Sequence, residues 1–370
     1  QNDSLRSPFI LNSNNIYVTN LHYKLVNVNK ADSLLYEVFK AGGNLQDLKI
    51  NGPKFSSNIR GLYFRDKFGL NVSNLTTDFS YDPESMRFKN TVLQTNKTDL
   101  NADIVFSYNK GDLADFTNKV IITADFDRSK VSVPDLKKFY NELSGNYLLD
   151  FKGKLIGTLN NFDLKNLVLS SNSGIYINGD FGFVNSINTS NGFIFLGDVN
   201  KITATYEKLR KILPNVLGKN VPSEFAKLGN FNLSGNLKVT PQQLRAIIAV
   251  DSEIGSSDAD LMFSNYNNID DAEYTGQLSL DKFNMGLFLN DSLFGSVTLK
   301  GDVEGQGFKL DNINTSFIGK IAEFQFKGYG YNNIMVNGQY QNNKFDGDLS
   351  IRDENFTMDF NGLADLSSEV

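Results

Sequence analysis

Acid–base, nucleophilic and metal chemistry rest most often on His, Cys and closely spaced carboxylates, and this chain offers few of them. It contains one His, His22 in Leu21-His22-Tyr23, and no Cys. A lone His inside a strand pattern reads as structural, and without a second His or a Cys the common nucleophile–base dyads and zinc sites are missing. Thiol catalysis and disulfide staples are excluded by composition. Carboxylate pairs stand at Asp258/Asp260, Asp270-Asp271 and Asp353-Glu354. They fall in polar, turn-like stretches with no apolar neighbourhood to raise a pKa, and their spacing matches no calcium loop. The run Gly301-Asp302-Val303-Glu304-Gly305-Gln306-Gly307 has the glycines of a phosphate loop but not the following Lys-Ser/Thr, so it reads as a glycine-rich strand or turn. The expectation is a protein that is not an enzyme, with no catalytic residues, no metal and no cofactor.

The net charge of -6 argues against nucleic acid, because a phosphate backbone is held by a basic face. Lys137-Lys138 and Arg210-Lys211 are isolated basic spots of the kind found on solvated surfaces. No apolar run of about 18 residues exists, so no transmembrane helix is expected. The chain opens on Gln1 without a signal-peptide pattern, and the expectation is a piece of a longer protein whose membrane anchor lies elsewhere.

The 30 Phe and 15 Tyr, with no Trp, recur along the whole chain, mostly within runs of period two. Leu100, Ala102, Ile104, Phe106 and Tyr108 alternate with polar residues, as do Val120, Ile122, Ala124 and Phe126. The same pattern holds for Ile175, Ile177, Gly179, Phe181 and Phe183, for Phe231 through Val239, for Phe324, Phe326 and Gly328, and for Phe356, Met358, Phe360 and Gly362. Alternation of this kind marks strands with one buried face. Short breaks such as Asn160-Asn161, Ser171 to Gly174, Asn332-Asn333 and Gln341 to Asn343 suit tight turns, which join antiparallel neighbours. Glycines fall on the apolar register at Gly157, Gly179, Gly235, Gly276, Gly301, Gly328, Gly338, Gly347 and Gly362, where they would let a sheet bend. The expected fold is all-β: a long antiparallel meander of about 22 strands at ~4.8 Å each, curled into a half-open groove with a few short amphipathic helices. Helical spacing appears over Pro134 to Leu143, Thr205 to Leu213 and Pro222 to Leu228, as connectors packed on the sheet. Composition divides the chain only softly, into a first part of the groove (1–200), a helical interlude (201–230) and its continuation (231–370).

The stretch Phe68-Gly69-Leu70-Asn71-Val72-Ser73-Asn74-Leu75, with Thr77 to Ser80 and Phe88 to Thr95, resembles the TamB (translocation and assembly module) proteins of Bacteroidetes, within the AsmA-like superfamily. So does Val221-Pro222 through Leu228-Gly229-Asn230-Phe231-Asn232-Leu233-Ser234-Gly235-Asn236-Leu237-Lys238-Val239-Thr240. The resemblance extends over most of the chain as a pattern and carries no catalytic fingerprint. It implies a half-open apolar β-groove (a β-taco) in the periplasm, anchored in the inner membrane through a region outside this segment. It also implies phospholipid as cargo and a BamA-type outer-membrane partner, TamA, bound through other regions. The inward residues expected to line the groove are Ile175, Ile177, Phe181, Phe183, Phe231, Leu233, Leu237, Phe324 and Phe326. Three Asp-Ser-Leu triplets resemble the O-glycosylation sequon of exported Bacteroidetes proteins and would place sugars on Ser4, Ser33 and Ser292. The other readings are an assembly factor that templates strands of β-barrel clients, a closed β-helix, and an outer-membrane barrel.

Overall fold

In the computed structural model, residues 8–27, 33–138, 143–212, 223–266, 268, 271–307 and 313–367 are described. They form twenty strands and a few short helices, in an antiparallel meander that is not closed into a barrel. The barrel and the parallel β-helix are thereby set aside. Two compact units divide the chain: Gln1–Ser173 with Phe183–Ile187, and Gly174–Gly182 with Asn188–Val370.

The first unit holds β1 (Ile10–Asn27), β2 (Ser33–Asn51), β3 (Lys54–Asp66), β4 (Asn71–Asp82), β5 (Ser85–Thr95), β6 (Asp99–Ser107), β7 (Ile121–Ser132), β8 (Leu148–Gly157) and β9 (Phe162–Ser171). Two single-turn helices, α1 (Phe116–Lys119) and α2 (Val133–Leu136), interrupt it. Each strand pairs antiparallel with the next, and every one of these ladders contains a register shift. At several shifts an extra residue takes a left-handed conformation: Asp47 and Asn90 at φ 51°, Arg128 at φ 40°. Such bulges bend the strand and leave backbone groups off the ladder. Buried hydroxyls collect those groups. Ser57 Oγ donates to the Gln46 carbonyl at 2.9 Å, Thr77 Oγ1 to the Lys89 carbonyl at 3.0 Å, and Ser129 Oγ to the Asn101 carbonyl at 3.0 Å. Ser and Thr inside this core are therefore satisfied, as buried polar groups must be.

The second unit holds β10 (Tyr176–Val184, through Gly182), β11 (Ile194–Thr205), β12 (Asn230–Val239), β13 (Gln243–Ser252), β14 (Gly255–Ser264), β15 (Glu273–Asn284), β16 (Phe294–Gln306), β17 (Asn314–Phe326), β18 (Tyr329–Gln341), β19 (Lys344–Arg352) and β20 (Thr357–Asp365). The ladders from β12 to β15 and from β17 to β20 run without a shift. Bending is concentrated at glycines here. Gly276 sits at φ +141°, and a Cβ there would lie 2.0 Å from the Asp260 carbonyl oxygen of the paired strand, so no other residue fits without moving backbone.

Helices α3 (Tyr206–Ile212) and α4 (Met285–Leu289) and a 3-10 turn, Ser223–Leu228, gather at one end of these strands. Leu209, Leu228, Met285 and Phe288 pack on a cluster of Ile175, Ala204, Phe231, Ile254, Leu280, Phe283 and Val297. The Lys227 ammonium donates to the Phe288 carbonyl at 2.7 Å, tying the 3-10 turn to α4.

Several local expectations change. The helix expected over Pro134 to Leu143 is regular only to Leu136, with residues 139–142 outside the described part. Asn332-Asn333 does not break the chain but lies inside β18, where Asn333 takes φ 53° and the register is unchanged on either side of it. Gly328 falls in the two-residue turn between β17 and β18, and Phe356 in the turn before β20. Asp258 and Asp260 stand on the outer face of β14, with Asp260 paired to Arg245 at 2.5 Å. Polar residues at period two mark an outer strand face as readily as a turn, and the ladder decides between them.

Candidate functional site

Pairing fixes which side chains share a face, and in the second unit it aligns them in rows across the strands. One inward row runs Leu233, Val250, Ser257, Leu280, Leu299, Ile321, Ile334, Ile351, Met358. It lies toward the helical end and holds buried Leu280, Ile334 and Ile351. The next runs Gly235, Ile248, Ala259, Leu278, Gly301, Gly319, Val336, Leu349, Phe360, and none of its members is buried. The third runs Leu237, Ala246, Leu261, Gly276, Val303, Phe317, Gly338, Gly347, Gly362, with only Ala246 buried. The opposite faces of these strands carry Lys300, Asp302, Glu304, Lys320, Asp346, Asp348 and Asp359.

An apolar face left half-exposed lacks the second layer that a sandwich would supply. This is an open β-sheet groove, sealed by helices at one end and uncovered beyond. Glycine positions in it are partly filled by rings. Phe317 lies so close over Gly301 and Gly319 that a Cβ on either would come within 2.7 Å and 2.8 Å of its Cζ.

The expected lining residues separate into two sets. Ile175 (1% exposed) and Phe231 (8%) are packed in the core under the helices, and Phe181 (6%) is buried beside Phe195 with ring centroids 6.1 Å apart. Ile177, Leu233 and Phe324 are half-buried and pack against the core cluster from the uncovered side. Leu237 lies further along β12, opposite Ala246 and Gly197. Phe326 joins Phe294 and Phe324 at 5.5 and 6.1 Å. Phe183 belongs to the first unit, stacked on Phe162 at 4.8 Å.

Sequence reasoning missed the longest aromatic track. In the first unit Phe55, Phe79, Phe88, Phe106 and Phe116 form a continuous ladder over β3 to β6 and α1, with successive centroids 5.6, 4.8, 5.8 and 5.5 Å apart. All five rings are half-buried. The only signal was Phe at inward positions of successive strands, and only the pairing register brings those positions side by side. Helix α4 was missed too. Its signals were Asn284, whose side chain accepts the Leu287 N–H at 2.9 Å as an N-cap, and left-handed Asn290 at its end.

His22 Nε2 lies 2.7 Å from Glu37 Oε1, with its ring stacked 5.1 Å from Phe39. The His22 contact, then Lys24, holds the Glu37 carboxyl below its ordinary pKa. The Gly301 to Gln306 run is part of β16. Asp353 sits in the turn before β20, accepting bonds from the Tyr329 hydroxyl, from Asn332 and from the Asn355 N–H. The Tyr329 bond foremost, with the Asn355 N–H next, lowers its pKa from 3.8 to about 2. Among the described residues no group of three His, Asp or Glu is placed to hold a metal, and no helix is long and apolar enough to cross a membrane. Of the sequon serines, Ser4 lies outside the described residues, Ser33 opens β2, and Ser292 is exposed in the turn after α4.

The open, non-barrel meander is consistent with the AsmA/TamB-like architecture. No protein-family model, curated protein or solved structure matches the chain.

Proposed function

We propose that this chain shields lipid acyl chains along its open apolar faces, as part of a TamB-like bridge that carries phospholipid between inner and outer membranes. The observation that carries the reading is the uncovered inner face: Phe, Leu, Ile and Val in register across many strands, left half-exposed. A fully buried Phe or Leu contributes about 1.5–3 kcal/mol, so a half-exposed row forgoes stability that a tighter fold would take. An acyl chain of about sixteen carbons costs on the order of 12 kcal/mol to expose, at roughly 0.8 kcal/mol per CH₂. Each uncovered surface relieves the other. The half-buried Phe55 to Phe116 ladder and the rows through Leu237 and Gly301 are the surfaces an acyl chain would lie on, while a polar head group stays at the open side. Such a groove lowers the barrier to lipid passage without an energy source of its own. The reading places the chain in the periplasm, with a BamA-type outer-membrane protein as partner.

A second reading, assembly of β-barrel clients by strand addition, is favoured by one feature. No charged residue or proline lies between Ile10 and Leu21 on β1, whose outer edge is unpaired among the described residues. Natural edges usually carry such guards.

Photo-crosslinking separates the two. With a benzophenone amino acid at Phe88, Phe106 or Leu237, the lipid reading expects adducts to phospholipid in cells. Crosslinks to protein clients from Tyr17 on β1, with none to lipid from the inner positions, would replace it with the assembly reading.

A further inference from the structure

The polar face of the second unit is not flat. A cavity of about 560 Å³ opens on it across β13 to β18. Twisted sheets are saddle-shaped, so a face that is convex in one direction can be concave in another. Two outward rows line this hollow. One places Thr275, Glu304, Ser316 and Gln339 on four successive strands, and the other places Glu273, Gln306 and Asn314 on three.

Three properties define what fits. First, the lining combines carboxylates, amides and hydroxyls with the Met262 side chain and holds no Lys, Arg or His. Anionic ligands such as phosphates, nucleic acids or sulfated glycans would meet Glu273 and Glu304 with nothing to neutralise them. Second, part of the hydrogen-bonding capacity is unspent. The Glu304 carboxylate and the Gln243 and Gln306 amides have no protein partner among the described residues, whereas Ser264 Oγ donates to Glu273 Oε2 at 2.9 Å, Ser316 Oγ to the Glu304 carbonyl at 3.3 Å and Gln339 Nε2 to Asn314 Oδ1 at 2.7 Å. Third, the polar groups repeat with the strand spacing of ~4.8 Å and stand in two rows about 7 Å apart, two residues along each strand. A divalent cation would need six or more converging oxygens, whereas the two carboxylates are on different rows. A peptide would seek an edge, because the backbone in mid-sheet is already paired. An extended saccharide chain has the required form: a ribbon with hydroxyls on both edges, repeating on the scale of one strand. Amides and carboxylates are the side chains that bond vicinal hydroxyls as donors and acceptors.

We infer that this hollow binds a linear, uncharged oligosaccharide lying across β13 to β18. The site lies on the face opposite the apolar groove, so it stands whether or not lipid binds there.

The test is isothermal titration of the whole chain with N-acetylglucosamine hexamer and cellohexaose, with a sulfated heparin hexasaccharide as the anionic comparison. Binding of at least one uncharged hexamer and none of heparin is expected. The double variant Gln306→Ala/Gln339→Ala should weaken it by about tenfold or more, the loss expected of one or two hydrogen bonds. The control Asp359→Ala, on the same face but outside the hollow, should bind as wild type. Matching thermal melts for both variants would show that the fold is intact. The inference is overturned if neither uncharged hexamer binds at millimolar concentration, if heparin binds more tightly, or if Gln306→Ala/Gln339→Ala binds like the control.

Discussion

Thr77 on β4 donates its hydroxyl to the Lys89 carbonyl at 3.0 Å and lies 2.9 Å from the Thr91 hydroxyl, straddling the bulge where Asn90 turns left-handed. Both threonines are buried. The contact joins the curvature of the first unit to its core: the bulge bends β5, and the hydroxyl pair makes the bend tolerable inside an apolar layer.

Replacing Thr77 by Val keeps the shape and removes the donor, leaving a buried carbonyl and the Thr91 hydroxyl short of a partner. A loss of about 1–3 kcal/mol is expected in urea unfolding, from the desolvation of an unsatisfied group. A midpoint unchanged within error would mean that the bulge does not depend on this pair.

Gly276→Ala tests the other bending device. Its left-handed-side φ and the 2.0 Å approach to the Asp260 carbonyl predict destabilisation of at least about 1–3 kcal/mol, from backbone strain alone. Gly328→Ala is the comparison, because nothing lies within 4 Å of a Cβ at that turn although its φ is also positive. The difference between the two isolates the close approach between strands.

The cluster beneath α4 and the outer side of α4 should respond differently to truncation. Phe283→Ala, in the buried cluster, is expected to cost about 3–5 kcal/mol, whereas Leu287→Ala, on the exposed side of α4 at 59% exposure, should stay within about 0.5 kcal/mol. Chemical denaturation of both variants checks this. Equal effects would mean that α4 does not seal the end of the sheet.

Leu237→Glu puts a charge on the half-exposed inner face of β12, and Ile247→Glu puts one on the outer face of β13, where Ile247 is exposed. On the lipid reading, phospholipid co-purifying per mole of protein falls severalfold in the first variant and is unchanged in the second. Lipid mass spectrometry of the purified proteins reads it. Equal retention by both would detach any bound lipid from the groove.

Asp353 gives a pH signature with a definite sign. Its folded pKa, about 2, lies below the unfolded value of 3.8. The unfolded state therefore binds the proton more readily between those values. The contribution is complete above pH 4 and disappears as pH falls through about 2. Wild type minus Asp353→Asn should show stability differences that shrink from pH 5 to pH 2 in denaturant midpoints; a constant difference would disconnect the turn from this titration.

The sequence alone determined that this is an all-β, antiparallel chain with a single His and no Cys. Period-two alternation and short Asn-rich links such as Gln341 to Asn343 are local signals, and Asn342 and Asn343 do take the paired positive φ of a tight hairpin turn. Composition settled the scarcity of His and Cys. What only the tertiary structure decided is which apolar residues are covered. Ile177 and Ile175 obey the same alternation, yet only Ile175 is wholly buried, where the helical end closes over the sheet. The Phe55 to Phe116 ladder likewise depends on pairing between strands: Phe79 stands opposite Phe88, while Phe55 and Phe106 lie two residues from Ser57 and Ile104, the partners of Phe79 and Phe88. The physical reason is that alternation reports one face against the other, whereas exposure depends on what lies above that face, which contacts far apart in sequence decide.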